Sequence, residues 1–411
     1  MISDLQRQLD VGKVFTPTTP VDERSLFSGR SEQIQQVFSA VSQKGQHAII
    51  YGERGVGKTS FANVVGQILA TQVGTVLAPR ATSDASDTYS TLWRKMFSEI
   101  TMTQGKPGIG FNSTSDFLSR TVADELPETI TPDIVRRVLT NLGQGRLLIA
   151  IIDEFDRLDE SVTTQIADTI KMLSDHAVPA TLVLVGVADS VDELIAEHAS
   201  VERALMQIQM PRMSEHEIRE IILRGMNHLE MTFEQKAADR VVMLAQGLPH
   251  YAHLLALHGT HQAVFQGRGE VTDEDVTKAV QKAVDNTQQS IMAGYRKATA
   301  SPHSGNLYGH VLLACALAEI DELGYFLPSA VREPMSVLMG KYYDIPSFAR
   351  HLYDFTDKER GPVLERTGTE RKYRYRFENP LLQPYVIMRG LADKKVDLNT
   401  LQALMRKDAS P

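Results

Sequence analysis

The chain has 411 residues, 42% apolar, 7% aromatic and 23% charged, and its 43 Lys and Arg against 51 Asp and Glu give a net charge of −8. This length supports about two to three domains around a large core. The acidic balance excludes a protein that coats nucleic acid through bulk positive charge, so any such contact needs a local patch. The single cysteine, Cys315 in the apolar run HVLLACALAE, excludes an intramolecular disulfide and a multi-cysteine metal site; it reads as a small core residue in a reducing compartment.

The N-terminal MISDLQRQLDVGKVF lacks the basic-then-apolar order of a signal peptide. No apolar stretch approaches the ~20 residues of a spanning helix. A cytoplasmic protein without membrane association is expected. Strand-like runs fall at 48–52, 74–79, 147–154, 181–189 and 204–210, with helical patterns between them. Continuous runs such as LLIAII suit strands buried on both faces of a parallel sheet, and the alternation implies a doubly wound α/β layer. Residues 101–132 read as an irregular insertion and a helix. From about 213 the strands stop. Ser214 and Glu217 form a capping box ahead of an apolar-periodic run, and Thr272 opens a helix in the same way. Residues 297–305, ATASPHSGN, read as a linker. Two helices follow, NLYGHVLLACALAEI and IPSFARHLYDFTD, the second with Ile345, Phe348, Leu352 and Phe355 as its buried stripe. A basic, aromatic hairpin near 363–377 comes next. The division expected is a core over 1–212, a helical domain over 213–296 and a C-terminal domain over 297–411.

The strongest chemical signal is Gly52-Glu53-Arg54-Gly55-Val56-Gly57-Lys58-Thr59, followed by Ser60. It fits G-x-x-x-x-G-K-[ST] between a strand-like and a helix-like segment. Glycines let backbone N–H groups close on phosphate oxygens, Lys58 supplies a cation to the β- and γ-phosphates, and Thr59 offers a hydroxyl to Mg²⁺. The helix N-terminus adds its partial positive charge. Farther on, the strand LLIAII delivers Asp153 and Glu154 to the carboxyl edge of the sheet, where ligands of open α/β sheets sit. Asp153 is the expected metal ligand and Glu154 the group that polarises the attacking water. Asp156 and Asp159 read as helix-start charges.

With GERGVGKT and IIDEFDRL on the page, the chain resembles the AAA+ ATPases, and within them the origin-recognition and replication-initiator group. The resemblance implies an ATP- and Mg²⁺-dependent ATPase built as a core, a helical lid and a C-terminal winged helix. It also implies an adenine pocket lined by 25–37, SLFSGRSEQIQQV. The first sensor residue is expected at the end of VGVADS, where Ala188, Asp189 and Ser190 stand in place of the usual asparagine; Ser190 is the candidate. Arg203, just before the last core strand, takes the place of the arginine that reaches a neighbouring subunit's ATP, with Arg212 as a weaker competitor, and so implies a homo-oligomer. His250 stands on the lid helix after Pro249 where many relatives carry an arginine that touches phosphate. In the hairpin, strand period puts Lys372, Arg374 and Arg376 on one face and Tyr373, Tyr375 and Phe377 on the other. The basic face is the candidate DNA contact. A signalling or defence NTPase whose C-terminal domain binds a protein partner or effector is the alternative, and a transposition or recombination regulator a third reading.

Overall fold

The computed structural model describes residues 2–105, 117–188, 199–303, 305–369 and 372–406. Its centre is a parallel sheet of β1 (His47–Tyr51), β2 (Val76–Leu77), β3 (Arg80–Thr82), β6 (Leu147–Asp153), β7 (Thr181–Val185) and β8 (Leu205–Gln209), in the order β2-β6-β7-β1-β8 with β3 also pairing β6. The five strand-like runs of the sequence supply these strands. The run 74–79 is the exception in detail: it yields β2, breaks at Pro79, and resumes as β3 on the same neighbour.

Alternation along the strands sorts the core into two layers. Ile50, Ile149, Ile151, Val183 and Val185 face the helices Ser31–Ser42 and Lys58–Val73. Ile49, Leu148, Ala150, Ile152, Leu182 and Leu184 face the helices Tyr89–Ser98, Pro132–Leu142 and Glu160–Asp175, with Trp93 and Phe97 stacked among them. Each such Ile, Leu or Val side chain contributes about 1.5–3 kcal/mol by leaving water. The insertion differs from expectation in one respect. Residues 101–132 hold an antiparallel pair, β4 (Thr101–Gly105) with β5 (Phe117–Thr121), where an irregular path was expected. The Gly- and Pro-containing tract between them hides strands this short from period counting.

The helices Glu215–His228, Gln235–Ala245, Pro249–Phe265 and Asp273–Asp285 form the second layer of the chain. Both expected capping boxes are present, at Ser214 with Glu217 and at Thr272 with Asp275. The strands do not quite stop at 213: β9 (Thr232–Phe233) and β10 (Glu270–Val271) make a short parallel pair. The helix Ile2–Val14, which the sequence reading assigns to the core, packs instead on Pro249–Phe265. Phe15, just beyond it, sets its ring edge-on to His253, and His261 bonds the Gln8 carbonyl at 3.2 Å. Its apolar side seeks the nearest uncovered apolar surface, and that surface belongs to the later helices.

The C-terminal part contains the helices Gln289–Thr299, Tyr308–Ala316, Pro328–Met339, Ala349–Asp354, Leu382–Ala392 and Leu398–Arg406, with the antiparallel hairpin β11 (Leu364–Thr367) and β12 (Arg374–Phe377). Phe326 adds an antiparallel bridge to Tyr375. Cys315 is buried, and burial raises its thiol pKa. Phe348, Leu352 and Phe355 are buried as expected, Ile345 partly so. Among the described residues no helix is long and apolar enough to cross a membrane.

Candidate nucleotide site

The loop between β1 and the helix Lys58–Val73 turns through Gly52, Gly55 and Gly57, all at positive φ. A Cβ at Gly52 would collide with the Met210 carbonyl, so that position accepts glycine alone. Gly57, at φ 96°, precedes Lys58 without any side-chain cap, and the first N–H groups of the helix are left for an anion. The Lys58 ammonium is buried and donates to the Gly52 and Glu53 carbonyls at 2.8 and 2.9 Å. Burial brings its pKa down to about 8 despite nearby Asp156, Asp153 and Glu53.

The loop opens on a cavity of about 750 Å³ lined by Lys58, Thr59, Ser60, Asp153, Glu154 and His250, among others. Phosphate loop and acidic strand end therefore meet in one place, as the sequence predicts. Asp153 is buried at the end of β6. Its Oδ1 accepts from the Glu154 N–H at 2.9 Å and its Oδ2 from Arg80 at 2.8 Å. Glu154 takes a left-handed conformation, φ 55°, and its half-exposed carboxylate pairs with Arg157 at 2.8 Å. Asp156 reaches across and accepts from the Val187 N–H at 2.8 Å, so it holds the exit of β7 as well as sitting at a helix start.

Two segments from outside the motifs complete the wall. Arg30 is buried in a left-handed conformation and donates to the Val56 carbonyl at 2.7 Å. Its backbone N–H and that of Gly29 donate to Glu217 and Glu220 at 2.9 and 3.0 Å, fixing this wall to the Glu215–His228 helix. The Ser28 hydroxyl and Arg30 Nε lie buried at the cavity without a hydrogen-bond partner among the described residues. The second segment is a strap over residues 16–21. The Thr16 N–H donates to His253 Nδ1 at 3.2 Å, His250 Nδ1 donates to the Pro17 carbonyl at 2.7 Å, and the Val21 N–H donates to Ser60 Oγ at 3.1 Å. Burial lowers the pKa of both histidines, that of His253 to about 4, so His253 is neutral and can accept.

Not every residue of the loop faces the cavity. The Glu53 carboxylate is held by both sides of the Arg212 guanidinium at 2.7 and 2.8 Å, and Arg212 also donates to Gln383 at 2.7 Å and to the Gln246 carbonyl at 3.3 Å. Arg212, a competitor for a role in a neighbouring subunit by sequence, is engaged within its own chain. Leu381 lines the cavity and packs toward Gly55, and its carbonyl accepts from the Tyr251 hydroxyl at 2.6 Å. The C-terminal part thus touches the phosphate loop directly. Nothing in a linear reading links Leu381 to the loop, Gln383 to Arg212 or Arg80 to Asp153; only the fold brings them together.

The remaining candidates lie elsewhere. Arg203 is exposed in the turn before β8, at the edge of the sheet. Asp189 and Ser190 fall outside the described residues. In the hairpin, Tyr375 and Phe377 are buried and Lys372 and Arg374 exposed, in line with the expected faces. Arg374 pairs with Asp321 at 3.1 Å, and Arg376 with Glu365 at 2.7 Å; both guanidiniums lie within 5 Å of the Tyr325 ring centre, at 4.8 and 4.6 Å.

A glycine cradle, a buried lysine, a buried aspartate and orphaned polar atoms around one cavity suit a nucleoside polyphosphate with a divalent cation. A family model described as Novel STAND NTPase 1 matches residues 19–301. The chain belongs to this family of NTPases. Among solved structures, the ORC2 protein of Aeropyrum pernix, described in ADPNP and ADP complexes, is similar with a TM-score of 0.51 at 15% identity, over 97% of this chain and 98% of that one. A Walker-type ATPase of Pyrococcus abyssi is similar with a TM-score of 0.50 at 15% identity, over 91% and 99%. At such identity the likeness is one of fold: this STAND NTPase shares the fold of those two proteins, with a parallel P-loop sheet.

Proposed function

We propose that the chain is an ATP-dependent switch in which the phosphate loop reports its occupancy to the C-terminal part. One observation carries the reading: the wall of the nucleotide cavity is completed by Leu381, while Glu53 of the phosphate loop is joined through Arg212 to Gln383. Backbone N–H groups of the 52–57 loop and the Lys58 ammonium bind the phosphates. Thr59 and Asp153 would hold Mg²⁺, which when bound neutralises charge on the phosphate oxygens. Glu154 orients and polarises water, a role that needs its carboxylate released from Arg157. Arg30, Ser28 and the 16–21 strap form the walls toward the base and ribose, and His250 positions the strap. Arg203, at the sheet edge, serves a neighbouring copy's site in a homo-oligomer.

The C-terminal helices with the β11–β12 hairpin read as a winged helix, with Lys372, Arg374 and Arg376 as the DNA contact. The second reading, a winged helix that binds a protein partner or effector, is favoured by a specific observation: Arg374 and Arg376 already meet Asp321 and Glu365, which lowers the positive potential a phosphate backbone would feel. A salt-dependent DNA titration with and without ATP separates the two. Binding that is removed by changing Lys372, Arg374 and Arg376 together to Glu supports the DNA reading. No binding by the wild-type chain with ATP at low salt gives the surface to a protein partner. Unaltered ATP affinity in Lys58→Ala would overturn the switch itself.

A further inference from the structure

We infer that Arg80 is a positioning residue that keeps Asp153 charge-compensated until phosphates arrive, so that divalent-cation binding depends on nucleotide. The inference rests on reading Asp153 as the metal ligand. It begins with strand register. β3 runs parallel to β6 with Arg80 opposite Ile151 and Thr82 opposite Asp153, so a long side chain from Arg80 reaches forward along the sheet edge to the carboxylate. The contact is 2.8 Å, between groups whose side chains are 27% and 3% exposed.

This pair is unlike an ion pair selected only to join two strands. Arg80 Nε is buried with no partner, and among the described residues the guanidinium's hydrogen bonding goes to Asp153 alone. A guanidinium presents five donors, and at this part-exposed position the buried Nε is the one left unused, while the outer N–H groups can meet water. The nearby Ser83 hydroxyl is likewise buried without a partner among the described residues, although its backbone N–H is tied to the Asp153 carbonyl at 2.9 Å. Both carboxylate oxygens of Asp153 are in use, Oδ1 by the Glu154 N–H and Oδ2 by Arg80.

The electrostatic consequence follows. A lone buried carboxylate attracts a divalent cation strongly because little water screens it. A carboxylate joined to a guanidinium presents no net charge, and a cation approaching it also meets the ammonium of Lys58 on the same cavity. Without nucleotide the cations Arg30, Arg54, Lys58 and Arg157 around the cavity, with Arg80 behind Asp153, outnumber the acids Asp153, Glu154 and Asp156. With the phosphates of a nucleotide present, the sign of the local field reverses, and a divalent cation is drawn to the oxygens between Thr59 and Asp153. Arg80 thereby prevents an empty site from taking up metal, and metal and nucleotide enter as one unit.

The test uses Mn²⁺ and the full chain, with loss of the free-ion electron paramagnetic resonance signal as the readout. Nucleotide-free wild type is expected to bind Mn²⁺ weakly. Arg80→Gln is expected to bind it at least about tenfold more tightly, through the uncompensated carboxylate. That gain should vanish in Arg80→Gln combined with Asp153→Asn, and Arg80→Lys should keep the wild-type weakness. A folded Arg80→Gln protein, judged by its circular dichroism melt, that gains no Mn²⁺ affinity overturns the proposal. If Arg80→Gln does not fold, wild type and Asp153→Asn alone decide it. Weak Mn²⁺ binding by both without nucleotide, with a gain on adding ADP that wild type shows and Asp153→Asn lacks, supports the proposal; tighter binding by nucleotide-free wild type, or no such difference with ADP, overturns it. A parallel titration of wild type with a fluorescent ADP analogue in EDTA reads the nucleotide site itself. Failure there removes the nucleotide reading but leaves the Mn²⁺ comparison interpretable.

Discussion

Replacing Arg212 by alanine should loosen the junction of the three parts of the chain, and the structure sets the size of the effect. The Arg212 and Glu53 side chains are 12% and 8% exposed, with a two-point contact at 2.7 and 2.8 Å. Two unit charges about 4 Å apart at an effective dielectric near 20 attract by about 4 kcal/mol. Removing one partner of a buried pair leaves the other uncompensated and typically costs about 3–5 kcal/mol. Arg212 also satisfies Gln383 and the Gln246 carbonyl, so Arg212→Ala should cost about 4–5 kcal/mol in urea unfolding, the upper part of that range. Glu53→Gln keeps an acceptor for Arg212 and should cost less. The decisive quantity is the coupling in a double-mutant cycle of Glu53→Ala and Arg212→Ala, expected at about 2–3 kcal/mol, within the span found for residues in direct contact. If the two losses add to within about 0.5 kcal/mol, the pair is not a joint between loop and C-terminal part, and the reasoning fails. Cooperative unfolding of the whole chain must be checked first with two probes, because a three-part protein can unfold in steps.

Lys58 has a pKa lowered to about 8 by burial, so near pH 8 part of the unliganded protein carries it neutral. Nucleotide binding should raise that pKa and take up a proton at pH 8 but almost none at pH 6.5; calorimetry in buffers of different ionisation enthalpy reads this directly, and a buffer-independent enthalpy at pH 8 would count against it. The same lowered pKa means that unfolding releases Lys58 to its ordinary, higher pKa, so its burial penalty is full below pH 8 and fades as pH rises toward 10.5. Glu154→Gln should retain nucleotide affinity and lose turnover, measured as phosphate release; wild-type turnover would move the water-polarising role elsewhere. Mixing Arg203→Ala with Lys58→Ala subunits should restore some hydrolysis at mixed interfaces, and strictly monomeric mass under ATP with no rescue would refute a role in a neighbour's site.

Much of the site was legible because its chemistry is local in sequence. The glycines, Lys58 and Thr59 lie within one turn of chain, and Asp153 with Glu154 ends an apolar run whose burial on both faces could be read directly. Period counting also put Tyr375 and Phe377 inward and Arg374 outward. What escaped was set by long-range geometry. Arg80 lies just past Pro79, where the expected strand ends three residues short of the end of β3, and its partner is on a different strand. Arg212 offered no sign that Glu53 and Gln383 would converge on it. The helix Ile2–Val14 was assigned by sequence proximity, while packing sends it to the later helices.

The strap over residues 16–21 also sets a limit on motion. It is fastened at Thr16 to His253 on one helix and at Val21 to Ser60 on another, so it bridges the two bodies that any opening of the cavity must separate. Five residue steps of extended chain span at most about 17 Å. While both anchors hold, the distance between them has that ceiling, whatever the nucleotide or partner does. The strap is therefore a leash: small openings stretch it within its slack, and any larger excursion has to break the His253 or the Ser60 hydrogen bond first.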